Sequence, residues 1–336
     1  MKQLLLSLAL CLCLLLTGCA GDTVIYQVEC DHDDQTQVTP PPVVEPDHGR
    51  SVKTGLAIVT DRSASENAAR AVFTATVAAV TVDDDGRICD AVLDGVYTTV
   101  TFDETGAITG DITSALLSRR ELAEDYGMGP VTQRQDEWQE TAEELIERVE
   151  DTAAAELGLL TGYPVEMVAA LEKAAANARH LGASEEDELR LALNADLSGS
   201  ASATDSEAGR VRLACDAAAV TFRDETISAC VIDSVQADVP FDAMGTITTD
   251  VTGPAPTKTE LGDDYGMKAY GGAKYEWYQQ AENFARYVTG KTAAQVLAIP
   301  VADGKATQAD LYTSVTISIT PFQELIARAG QERSDT

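Results

Sequence analysis

The residues of this chain best suited to chemistry gather in one stretch. Lys258, Tyr265, Met267, Lys268, Tyr270, Trp277 and Tyr278 fall within 21 positions. They combine ring faces on which a flat ligand can stack with ammonium groups able to meet a phosphate or carboxylate. These are the candidate ligand-binding residues. The segment Glu260 to Met267 repeats the order Glu, Leu, Asp, Tyr, Gly, Met found from Glu121 to Met128. That recurrence has a packing explanation beside the functional one. Tyr126 and Tyr265 would lie on a sheet, Gly127 and Gly266 would supply a positive φ, and Asp125 or Asp264 would close a turn. The second occurrence continues as KAYGGAKYEWY where the first has GPVTQRQDEWQ, so a ligand is expected at the second.

No residue pattern calls for catalysis. His32, His48 and His180 are the only histidines and lack metal-ligand spacing, which argues against zinc or a histidine-based hydrolase. In the run Asp83 to Ile88, a calcium loop counted from Thr81 would place Val92 where a bidentate Glu belongs, so a turn is expected. No glycine-rich phosphate loop follows a strand. With 55 acidic residues against 24 basic and a net charge of −31, the chain is unsuited to nucleic acid, whose binding needs Lys and Arg on phosphates.

These side chains are positioned by a unit written twice. The stretch AAVTVDDDGRICDAVLDGVYTTVTFDETGAIT (78–109) aligns with AAVTFRDETISACVIDSVQADVPFDAMGTIT (218–248). RRELAEDYGM aligns with TKTELGDDYGM and DEWQETAEELIERV with YEWYQQAENFARYV, at an offset of 139. Such a sustained offset marks a duplication. MVAALEKAAANA resembles FQELIARAG near the C-terminus, with TSVTISIT inserted only in the second unit. The units are 51–184 and 185–330, joined near Ser184 to Asp187. In the first, Ala75–Val82 alternates, Asp85 and Gly86 make a hairpin signal, and Ile88–Phe102 continues the sheet. Trp138, Ala142, Leu145 and Val149 then recur at helical spacing, as do Trp277, Ala281, Phe284 and Val288. The expected class is α+β: two tandem repeats, each an antiparallel β-meander packed against helices. In that frame Trp138 and Trp277 anchor the core.

Cys30, Cys89, Cys215 and Cys230 show no dense disulfide spacing. A hairpin turning near Asp224 and Glu225 pairs Cys215 with about residue 234. The distance from there to Cys230, roughly 13 Å along a strand, exceeds disulfide reach. Both are expected as buried thiols.

At the N-terminus, Leu16, Thr17, Gly18 and Cys19 close an apolar run that begins at Leu4. The run is shorter than the about 20 residues a membrane helix needs and has the size of a signal-peptide core. The motif resembles the lipobox of bacterial lipoproteins. That resemblance implies a signal peptide over 1–18, lipidation of Cys19, and an extracytoplasmic protein lipid-anchored to the cell membrane. Loss of Lys2 deepens the net charge by one, and so acidic a surface leaves membrane contact to the acyl chains. Residues 19–50, rich in Asp and Pro, read as a disordered tether.

A second resemblance is carried by VAAVTVDDDGRICDAVL, which is similar to the start of the extracytoplasmic FMN-binding domain family, and by ELGDDYGM and EWYQQ, which resemble repeats of FMN-binding-like lipoproteins. It covers about a third of each unit. It implies FMN held noncovalently, with Tyr265, Tyr270, Trp277 and Tyr278 as stacking surfaces and Lys258, Lys268 or Lys274 near the phosphate. The family's flavin-bearing threonine segment is not matched by DVTGPAPT (250–257) or ITSALLS (112–118). Two functions follow as expectations. The first is a noncatalytic cell-surface lipoprotein that binds a small molecule or an envelope component and requires no cofactor. The second is an FMN-binding electron-transfer protein.

Overall fold

Long runs of β-branched residues and alanine form the strands. The computed structural model describes residues 49–65, 69–125 and 133–331. The signal peptide, Cys19, Cys30, the tether up to His48, His32, Tyr126 and Gly127 lie outside the described residues, while Arg50 at the tether's end pairs with Glu185 at 3.0 Å. Besides a two-residue hairpin pair (Val301–Ala302 with Lys305–Ala306), the strands in chain order are β1 (Ser51–Asp61), β2 (Arg70–Val82), β3 (Ile88–Thr101), β4 (Arg179–Ser184), β5 (Glu188–Asp196), β6 (Gly209–Arg223) and β7 (Thr226–Phe241). These seven make two antiparallel sheets, ordered β3-β2-β1-β4 and β5-β6-β7. The helices are α1 (Arg119–Asp125), α2 (Gln133–Val149), α3 (Val165–Asn177), α4 (Lys258–Leu261), α5 (Met267–Gly271), α6 (Trp277–Val288), α7 (Ala293–Leu297), α8 (Ala309–Tyr312) and α9 (Thr320–Ala329). The class is α+β. No helix among the described residues is long and apolar enough to cross a membrane.

Strand alternation assigns the layers. Every second side chain points between the sheets, where Leu56, Ile58 and Phe73 share a core with Leu191, Leu213 and Phe241. The intervening residues point outward and are buried as well. Ala78, Val80 and Leu93 lie with Leu145, Met167 and Leu171 of α2 and α3. Ala218, Val220 and Ile232 lie with Phe284, Leu325 and Ile326 of α6 and α9. The result is four layers: helix, sheet, sheet, helix. Burial on both faces explains why the strands read as near-continuous apolar runs. A meander covered only by its own helices accounts for one face, and the other sheet covers the second. The described residues between 49 and 331 form one compact unit, whose internal cores meet the physical requirement for folding independently.

Both expected hairpins are present. Each slips register near its turn, between Thr81 and Val82 and between Thr221 and Phe222. The second slip sets Cys215 opposite Val235 and Cys230 opposite Val220. Both cysteines are free, buried thiols. The turns at Asp103–Gly106 and Asp242–Gly245 pack on each other. Gly106 and Gly245 both have φ of 70°, and a Cβ on either would lie under 3.0 Å from the other turn's backbone, so only glycine fits.

Two helix cations each meet a glutamate distant in sequence. Lys173 on α3 donates to the Ile58 carbonyl at 3.0 Å and pairs with Glu260 at 2.8 Å. Arg328 on α9 donates to the Leu193 carbonyl at 3.1 Å and pairs with Glu121 at 2.6 Å. Each glutamate also serves its own helix start: Glu121 accepts from the Ser118 backbone N–H, and Glu260 from that of Thr257. The Glu of the recurring Glu-Leu…Tyr-Gly-Met order is thereby occupied twice, as a capping-box residue and as the ion-pair partner of a distant cation.

Candidate functional site

The seven residues expected around a ligand separate into four environments. Thr257 caps α4 and starts the turn that carries Lys258 inward. The Lys258 ammonium sits 5.6 Å from the centre of the Tyr265 ring and 5.0 Å from that of Trp277. Burial holds its pKa below the usual lysine range, against the opposing pull of Asp216 and Asp233. Trp277 is 5% exposed and meets Phe322 edge-on at 5.9 Å. Lys258, Tyr265 and Trp277 therefore satisfy one another through cation–π contact. Arg119 makes the corresponding contacts with Tyr97 and Trp138 at 5.8 and 5.2 Å. Met267 is half-buried against the core, and its backbone N–H donates to Glu276. Lys268 and Tyr270 are at the surface, Tyr270 being 92% exposed. Gly266 has φ of 80°, the positive value expected of it. Asp264 is exposed.

Tyr278 alone of the seven lines a cleft. This cavity, about 680 Å³, lies between the end of α3 with β4 on one side and β7 with α6 on the other. Its apolar lining includes Leu56, Leu181, Ile232 and Ala285. Its polar lining includes Asn177, Arg179, Tyr278, Glu282 and Arg286. Arg179 donates to Glu282 at 2.7 Å, joining the two walls. Arg286 donates to Asn283 at 3.2 Å. Tyr278 donates to Asp263 at 3.4 Å, and desolvation followed by the Asp263 charge holds its phenol above the usual range. At the floor, Asp233 accepts from the backbone N–H groups of Ser234 and Thr259 and from the Thr259 hydroxyl. Burial nevertheless raises its pKa. Asp94 shows the same fit, accepting from the N–H groups of Gly95 and Arg120, and burial raises it too.

No family model, no curated protein and no solved structure matches this chain. What the cleft can hold follows from its own geometry. Its size lies in the range of small-molecule sites, and its lining is divided about evenly between apolar and polar side chains. Residue types and spacing do not single out Arg179, Glu282 or Arg286. One signal is present in the sequence: on α2 the position 139 before Arg286 is Glu147, a charge reversal between aligned stretches of sequence.

A second cluster has the residue types of a hydrolase triad. His180 Nδ1 lies 3.3 Å from Ser51 Oγ, and its Nε2 lies 2.9 Å from Asp84 Oδ1. The two ring nitrogens are used the opposite way round from the serine protease arrangement. The Asp84 side chain is 75% exposed and also pairs with Lys53 at 3.4 Å. The hydrogen bond from His180, then that from Lys53, pulls the Asp84 carboxyl below its ordinary pKa. This is a solvated surface network joining β1, β4 and the first hairpin turn. Among the described residues no group of three His, Cys, Asp or Glu is placed to hold a metal ion.

Proposed function

We propose that this chain is a noncatalytic binding protein, lipid-anchored through Cys19 outside the cytoplasm and held off the membrane by the 19–50 tether. Its ligand is a small molecule seated in the cleft between α3 with β4 and β7 with α6. The observation that carries this reading is the joining of an apolar wall and a hydrogen-bonding rim in one cavity of about 680 Å³. In the same reading, 51–184 and 185–330 are tandem repeats. The matched Lys173–Glu260 and Arg328–Glu121 pairs support this.

The experiment is a thermal-shift screen of residues 47–336 against small molecules, repeated on Ala285→Trp, which fills the cleft. A ligand that raises the midpoint of the native protein and leaves the variant unmoved supports the reading. Ligands that raise both equally would place binding elsewhere and end it.

A second reading, noncovalent FMN and electron transfer, is favoured by Tyr278 and two arginines lining one cleft. Stacking between Tyr265 and Trp277 does not fit a flavin, because Lys258 fills the space beside both rings. The flavin would have to enter over Tyr278. Absorbance bands retained at about 370 and 450 nm after mixing with FMN and desalting, as the cofactor's own chemistry dictates, would promote this reading. A colourless protein would end it.

A further inference from the structure

The charge pattern of the cleft points to a ligand class, an inference that rests on the binding reading above. Acidic residues outnumber basic ones by 55 to 24 in this chain, whereas the cleft lining sets Arg179 and Arg286 against Glu282 and the buried Asp233, so it is richer in cations than the composition. Arg286 is exposed, is steadied by Asn283 at 3.2 Å, and makes no ion pair among the described residues. At the position of α2 that aligns with Arg286 the chain carries Glu147, whereas Glu143 aligns with Glu282 and keeps its charge. The aligned helix faces thus share one acid and differ by a cation at Arg286.

Arg179 is partnered, but by a group that can leave. Its ion pair with Glu282 spans the cleft from β4 to α6, with side chains 54% and 39% exposed. Such solvated pairs contribute little to stability and exchange readily. Glu282 thus stands in for an anion at the arginine and yields to a better one. Beneath this rim lie Leu181, Ile232 and Ala285, a surface for an apolar body.

We infer that the cleft takes a small amphiphile bearing one anionic group, a carboxylate or a phosphate. Its anion is held by Arg286 and, once Glu282 is displaced, by Arg179 through charge-assisted hydrogen bonds. Its apolar part lies over Leu181 and Ile232.

The test is calorimetric titration of residues 47–336 with laurate, dodecyl phosphate and dodecyltrimethylammonium, each below its micellar concentration. At least one anion is expected to bind about tenfold or more tighter than the cation of equal tail length. The comparison of laurate with dodecyl phosphate tells carboxylate from phosphate. Arg286→Glu, at an exposed position that leaves the unfolding midpoint in place, is expected to weaken the bound anion by about tenfold or more. Glu282→Gln, which frees Arg179, is expected to strengthen it by about twofold or more. Equal binding of anion and cation, or anion binding indifferent to Arg286→Glu, would overturn the anion assignment while leaving a binding cleft. Binding of none of the three would overturn the assignment as well, and the broader reading would then be decided by the Ala285→Trp screen.

Discussion

Phe102 stacks on Phe241, with ring centroids 4.1 Å apart and planes 3° from parallel. The two residues stand 139 apart in sequence, one just past β3 and the other ending β7. Each ring is buried, at 3% and 0% exposure, so each is the other's packing partner in the core between the sheets.

Phe102→Ala is accordingly expected to cost about 3–5 kcal/mol. The double variant with Phe241→Ala should cost less than the sum of the singles, by roughly 0.5–1.5 kcal/mol of aromatic coupling. Urea unfolding of the four proteins measures both quantities. Strict additivity would mean that the rings do not support each other.

Trp277 is placed as a core residue, with Lys258 over its ring and Phe322 at its edge. Trp277→Ala should destabilise the protein by about 3–5 kcal/mol and leave the affinity for any cleft ligand within a factor of about two under conditions where the variant is folded. Unchanged stability together with lost binding would return it to the candidate site.

Asp90 responds to pH in the opposite sense from a salt-bridged carboxylate. Burial, partly offset by backbone hydrogen bonds from Ala91 and Leu189, raises its pKa from 3.8 to about 6. The folded state therefore holds a proton that the unfolded chain has released. Its contribution to stability is full below the unfolded pKa and is lost as pH rises through about 6. Asp90→Asn should be more stable than the native protein at pH 7, by roughly 1–2 kcal/mol after allowance for partial exposure. That gap should close by about pH 4, near the pKa of a free aspartate. Chemical unfolding at the two pH values decides it, and a gap that persists in acid would contradict the burial argument.

Residues 47–336 contain Cys89, Cys215 and Cys230. Burial pushes the Cys230 thiol up to about 12 and holds Cys215 still higher. Cys89 is half-buried, and desolvation followed by the Asp83 and Glu185 charges raises it more modestly. A chromogenic disulfide reagent should titrate one thiol in the native protein, slowly, and all three in urea. Rapid reaction of two in the native state would place Cys230, on the cleft wall, within reach of solvent.

Several elements are legible in residue pattern alone. Asp85 with Gly86 announces the first hairpin because few residues accept its turn, and that turn is present, with Gly86 at a φ of 80°. Trp277, Ala281, Phe284 and Val288 announce α6 because one helix face must be apolar to dock, and all four are buried there. The ligand residues are less legible. Lys258, Tyr265 and Trp277 have the types a ligand wants, but the same types satisfy one another when α4 and α6 bring them together. Residue type does not say which partner arrives first.

Local pattern by itself determined the paired hairpin strands, their turns and the amphipathic helices α2 and α6, because these depend on neighbours a few positions away; β1, β4 and β5 were not announced by it. Only the tertiary structure decided what covers each face. A near-continuous apolar run such as that in β2 demands burial on both sides but does not name the cover, which is helices on one side and the other sheet on the other. The cleft was decided at the same level. Arg179 and Arg286 lie 107 positions apart, and only the docking of β4 and α3 beside β7 and α6 sets both arginines on one rim above an apolar wall.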